Sequence, residues 1–288
     1  MKRYLAFTRC SPSWTKCLHS GTARLLVALM MTLTGCLAGC GVQQPPSLPY
    51  EIWSPPEATD AELDRGLIIL YPGLLSTTNE MITLYLVLRA VGIDRAIDIG
   101  VWGRFLEGIE NINAYERNLE WSAAEAARIA EYVRAHPGRP VTLMGFSAGA
   151  AIAIWVAEAL PDDVQVDRVI LISSGVSPNY DLDAMLRRCR RGAVSFWSSL
   201  DVQGALAALV FGTMDRINEI PAGTLGFTMQ RPDLVQIPYS PEMAVYGLTG
   251  NHYELMDNPL WIQDYVVPWV LYDDGPRASD TPQKHHAP

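Results

Sequence analysis

Val141-Thr142-Leu143-Met144-Gly145-Phe146-Ser147-Ala148-Gly149-Ala150-Ala151 runs from an apolar segment through a Gly-x-Ser-x-Gly pentapeptide into an alanine-rich stretch. The apolar part is short and follows Pro137-Gly138-Arg139-Pro140, as a buried parallel strand entered from a turn should. From Ala148 to Leu160 small and apolar residues continue at helix-compatible spacing until Pro161 stops them. A strand that turns sharply into a helix needs small residues two positions either side of the turning residue, because bulk there would meet neighbouring backbone. Gly145 and Gly149 supply them, so the stretch reads as a nucleophile elbow with Ser147 exposed at its tip. The pentapeptide alone is weakly specific, and its flanks carry the reading.

Outward from the elbow, apolar β-rich runs alternate with helical patterns, the rhythm of a parallel sheet with crossover helices. Strands are expected at 66–71, 96–102, 141–146, 168–173, 193–198 and 244–248, and helices at 77–90, 122–135, 148–160 and 259–271. One catalytic domain at 61–272 accounts for these. A Pro-rich, polar linker at 41–60 precedes it, and a polar tail at 273–288, expected to be disordered, follows. The segment 204–240 is long, with the apolar run Gly204-Ala205-Leu206-Ala207-Ala208-Leu209-Val210-Phe211. It suits a small lid-like insertion or an acyl pocket, with a packed core helix as the plainer alternative.

The chain has 288 residues, 49% of them hydrophobic and 18% charged, enough apolar material for a sizeable core. Its formal charge of −9 argues against a nucleic-acid partner, whose phosphates would be repelled. The N-terminus differs in character. Lys2, Arg3, Arg9, Lys16 and Arg24 precede the apolar run 25–33, and no acidic residue occurs before Glu51. That is the order of a secretory signal, too short for an ordinary membrane span. Leu33-Thr34-Gly35-Cys36 and Leu37-Ala38-Gly39-Cys40 follow, and both resemble the bacterial lipoprotein cleavage pattern. The resemblance implies a signal at 1–40, lipidation of Cys40 or Cys36, and attachment to a membrane of the bacterial cell envelope. Of the remaining cysteines only Cys189 lies in the folded body, which excludes a disulfide framework. Its arginine neighbours are of the kind that lower a thiol pKa, but no base and orienting acid accompany it in sequence.

A serine nucleophile on such a sheet takes its acid and then its histidine in chain order, each from a loop at the carboxyl ends of the strands. His19 lies in the signal, His136 precedes the nucleophile strand, and His285 and His286 lie in the tail. His252 remains, after an apolar segment, as the base that would take the Ser147 proton. For the acid, Asp201 follows the expected strand 193–198, while Asp215 in Gly212-Thr213-Met214-Asp215 competes with it. Asp181 and Asp183 would serve only if the acid had moved to the preceding loop. The Ala148 N–H, at the start of its helix, is one candidate donor for a developing oxyanion.

Together these residues resemble the α/β-hydrolase superfamily over 66–271. The resemblance implies a doubly wound, mostly parallel sheet with helices on both faces and a Ser-Asp-His mechanism through an acyl-enzyme. It implies no cofactor and no metal. It also implies that the residue after Gly73, Leu74, gives the second oxyanion donor, although Tyr71-Pro72 stands where His-Gly often opens that loop. The expected activity is an esterase or lipase acting on a small-molecule carboxylic ester. A thioesterase or acyltransferase, or a non-catalytic envelope lipoprotein that binds through the same fold, are the alternatives.

Overall fold

Among the described residues six strands, all parallel, form the sheet: β1 (Leu67–Tyr71), β2 (Ala96–Ile99), β3 (Val141–Phe146), β4 (Arg168–Ile172), β5 (Ala193–Trp197) and β6 (Leu234–Pro238), in the order β2-β1-β3-β4-β5-β6. They come from a computed structural model that describes residues 53–104 and 107–271. The expectations at Cys36 and Cys40, most of the linker, and the tail with His285 and His286 lie outside those residues.

Every residue of β1 is buried, because both faces of the sheet are covered. Side chains alternate between the faces. Leu67, Ile69 and Tyr71 join one core with helices α2 (Tyr115–Ala135) and α3 (Ala148–Glu158). Ile68 and Leu70 join another with α1 (Ile82–Ala90) and the helical run from Pro259 to Leu271. This is the doubly wound parallel sheet with helices on both faces expected from the sequence. After β1 the chain moves outward to β2, then crosses back to β3 on β1's other side. The reversal leaves a crevice at the carboxyl ends of β1 and β3, where open α/β sheets hold their ligands. Tyr71 pairs with Gly145 there, two residues before Ser147.

Several expected elements differ. The expected strand 244–248 is part of a 3-10 helix, Pro241–Tyr246, begun by a proline and ended by Gly247 in the left-handed region. The sixth strand is instead Leu-Val-Gln-Ile-Pro at 234–238, whose partial exposure and closing proline belong to a sheet edge. The insertion after β5 is therefore shorter than 204–240. Its main element, α4 (Val202–Phe211), is not a packed core helix: among its residues Gly204 and Ala208 are buried, while Val202, Leu206 and Leu209 are exposed. The helix expected at 77–90 begins as a 3-10 turn, Thr78–Met81, and α2 starts earlier than 122. The C-terminal helix widens into a π turn at Ile262–Val266, just before Pro268, which lacks the N–H to continue α-helical bonding.

Candidate active site

The elbow has the steric logic read from its glycines. A β-carbon on Gly145 would lie 2.3 Å from the Gly149 carbonyl oxygen, and one on Gly149 would lie 2.2 Å from that of Tyr71. Both contacts are with backbone, which cannot move aside. Between them Ser147 adopts φ 53° and ψ −119°, a conformation rarely held by a residue with a side chain and worth about 1–3 kcal/mol of strain. Its N–H donates to the Ile172 carbonyl at 2.8 Å, and its own carbonyl accepts from Gly175 N–H at 3.0 Å. The strained tip is thus braced against the end of β4.

His252 meets Ser147 from the loop after β6. Its Nε2 is 2.8 Å from Ser147 Oγ, and its Nδ1 is 2.6 Å from Asp201 Oδ2. An ionised carboxylate only accepts, so Nδ1 carries the proton and Nε2 is left to receive one from the serine. The histidine loop is held by Glu254, which accepts from the Thr249 N–H and hydroxyl and from the Asn251 N–H. Burial opposes its charge, yet those bonds keep the carboxyl below its ordinary range. Ser198 donates to the Gly250 carbonyl at 2.6 Å and ties the same loop to the end of β5.

Asp201 is 1% exposed and acts in two directions. While Oδ2 faces the imidazole, Oδ1 accepts from Gly204 N–H at 2.8 Å and caps α4. Asp215 stands elsewhere: its Oδ1 accepts from the Ser177 N–H at 2.9 Å and stitches two loops together. Asp181 accepts from the Asp183 N–H, and Asp183 pairs with Arg231. Of the four acids weighed from sequence, Asp201 is the one at the histidine.

Ala148 opens α3 directly after Ser147, so its N–H belongs to the positive end of the helix. Leu74 lies in the loop of residues 72–77, which is tied from several sides. The Trp102 indole N–H donates to the Pro72 carbonyl at 2.8 Å, the Asn111 amide to the Leu74 carbonyl at 3.1 Å, and the Gly103 N–H to Ser76 Oγ at 2.7 Å. Within the loop, Ser76 N–H donates to the Gly73 carbonyl at 3.1 Å. In a trans peptide the Leu74 N–H points opposite to that carbonyl, away from the Ser76 turn. Sequence reading did not single out Trp102 or Asn111. Asn111 is fully buried in a short helix, Gly108–Asn113, and also bonds both backbone groups of Arg104. No local pattern announces such a residue, because its partners are distant backbone atoms.

Cys189 is buried beside the Met185 carbonyl, and burial pushes its thiol up to about 12 despite the arginines around it in sequence. It takes no part in the site. Around the crevice the exposed side chains include Leu75, next to Leu74, and Leu200, whose β-carbon lies against Gly250 of the histidine loop.

No protein-family model matches the chain, and no curated protein does. Solved structures with similarity to it include one of two metagenome-derived lipolytic enzymes, LipS and LipT (12% identity, 72% of this chain and 93% of that one, TM-score 0.43). Others are lipase B of Aspergillus fumigatus (13%, 77% and 56%, TM-score 0.47) and an esterase domain from Rhodothermus marinus (14%, 74% and 89%, TM-score 0.42).

Proposed function

We propose that this chain is a serine hydrolase that cleaves carboxylic esters through an acyl-enzyme on Ser147. One observation carries the reading: an unbroken hydrogen-bonded series from Ser147 Oγ through His252 to Asp201, at the crevice where the strand order reverses. Ser147 Oγ attacks the ester carbonyl as its proton passes to His252 Nε2. Asp201 keeps the imidazole in the required tautomer and stabilises the imidazolium. The N–H groups of Ala148 and Leu74 receive the oxyanion. Collapse breaks the bond to the alkoxy oxygen, which leaves with the histidine's proton. Water, deprotonated by the same histidine, then releases the acid and restores the serine.

An apolar acyl part is supported by Leu75 and Leu200 beside the site and by the uncharged α4. The lipoprotein-like N-terminus supports a lipid-anchored enzyme of the bacterial envelope, with the lipid on Cys40 or Cys36. A membrane fraction whose protein has the unmodified mass would contradict the anchor. For the activity, a fluorophosphonate should label the wild type and fail to label Ser147→Ala, with His252→Ala strongly slowed. Labelling without ester turnover would favour an acyltransferase, and no Ser147-dependent labelling would leave a binding protein.

A further inference from the structure

Beneath the loop of residues 72–77 lies a carboxyl group to which this reaction gives no task. Glu80 sits in the 3-10 turn just after the loop, and its side chain folds back under it. Oε2 accepts from the Thr77 N–H at 3.2 Å, whereas Oε1 is buried with no hydrogen-bond partner among the described residues. A β-carbon on Gly73 would come within 2.7 Å of that oxygen and 3.2 Å of the Phe146 ring. Phe146 packs in turn on the His252 imidazole, with centroids 5.1 Å apart. Carboxyl, oxyanion loop and imidazole are therefore neighbours in one packed cluster.

Capping a four-residue turn does not account for this placement. An amide would accept the Thr77 N–H as well, without burying an ionisable group. Burial pushes the Glu80 carboxyl up to about 7, although the N–H groups of Thr77, Leu75 and Ser76 and the field of His252 favour its charge. Ser76 has φ 51°, and a turn with a residue in the left-handed region directs successive N–H groups to one side, as anion-binding turns do. The titratable groups facing Glu80 are His252 and Tyr253, whose phenol is pushed up by burial first and by Glu80 next. β3 presents Phe146, and residues 72–77 carry no charged side chain.

We propose that Glu80 is a positioning residue: its ionised carboxylate holds the Thr77 N–H at the end of the oxyanion loop and stabilises the His252 imidazolium formed as Ser147 is acylated. The proposal rests on the serine-hydrolase reading. It also sets activity against stability. Because the carboxyl's folded pKa is raised, its contribution to stability is complete below the ordinary carboxylate range and is lost as pH rises through about 7. The charged form that assists the reaction is thus the form the fold tolerates less.

The test is the rate of fluorophosphonate inactivation of wild type and Glu80→Gln between about pH 5.5 and 9, with melting temperatures at both ends. The wild type should exceed the variant about tenfold at the alkaline end, short of the ~10²–10³ lost with a whole oxyanion donor, and match it at the acid end. The crossover should fall near pH 7, while the variant melts no lower than wild type at the alkaline end. A ratio that does not change with pH, or a variant that melts lower there, reduces Glu80 to a cap and overturns the proposal. Should the variant fail to fold, the wild-type acid limb decides: an added fall of about tenfold near pH 7 on top of a one-proton limb sustains the proposal, and a simple one-proton limb without that step overturns it. A wild type that never labels overturns the hydrolase reading itself, an outcome distinct from a flat ratio.

Discussion

The loop of residues 72–77 and helix α4 both adjoin the Ser147 site, and they are built in opposite ways. Hydrogen bonds from Trp102, Asn111 and Gly103 and to Glu80 fix the loop. α4 is anchored at its first turn by Asp201 and then leaves Val202, Leu206 and Leu209 exposed, four or three residues apart along one stripe. Backbone donors that must meet a charge at a set distance need a scaffold that pins each peptide. An apolar acyl chain asks only for apolar area, and a helix of Ala, Leu and Val supplies it without directional bonds. On the proposed reading, the contrast separates the part of the site assigned to chemistry from the part assigned to the substrate.

The largest effect should come where α4 and the histidine share an anchor. Asp201→Asn keeps an α4 cap, since asparagine caps as well, but no longer enforces the histidine tautomer. Turnover should fall about 10⁴-fold with the melting temperature little changed, whereas Asp215→Asn should stay within a few-fold of wild type. If Asp215→Asn abolishes turnover and Asp201→Asn does not, the acid is misassigned. Next comes the scaffold of the loop. Asn111→Ala frees the Leu74 carbonyl and both Arg104 backbone groups, so kcat should drop about 10- to 100-fold. Unfolding free energy should drop by about 1–3 kcal/mol, measured by urea titration. An unchanged kcat would detach the loop from the chemistry. The smallest effect belongs to α4. Joint replacement of Leu206 and Leu209 by serine should lower kcat/KM about fivefold for a long-chain ester, leave it unchanged for an acetate, and shift stability by less than ~0.5 kcal/mol. Equal loss on both esters would remove α4 from substrate contact.

The elbow was legible because its demands are local. Gly145 and Gly149 face backbone within a few residues or across one strand pair, so steric reasoning on the pentapeptide foresees both contacts. His252 was legible by exclusion. The acid was only half legible, since Asp201 and Asp215 each lie past an apolar run, and what separates them is the path of a loop rather than a residue type. The sixth strand misled for a related reason: Val-Gln-Ile before Pro238 carries a weak alternation at a sheet edge, while the more apolar segment near 244 is turned by Pro241 and Gly247. Asn111 and Trp102 left no trace in the sequence, because their partners are distant backbone atoms of residues 72–77. Thr77-Thr78-Asn79-Glu80 has the spacing of a capping box, which announces the Thr77 contact but not the second carboxyl oxygen's place against Gly73 and Phe146.

The central claim is that Ser147 carries the acyl group. Rapid mixing with an activated acetate ester, acid quench and mass analysis of the peptides tests it most directly. The account predicts one acetyl group on the peptide containing Ser147 in the wild type, formed in a burst and absent in Ser147→Ala. Acetyl groups elsewhere at equal yield in both proteins, or none despite turnover, would contradict it.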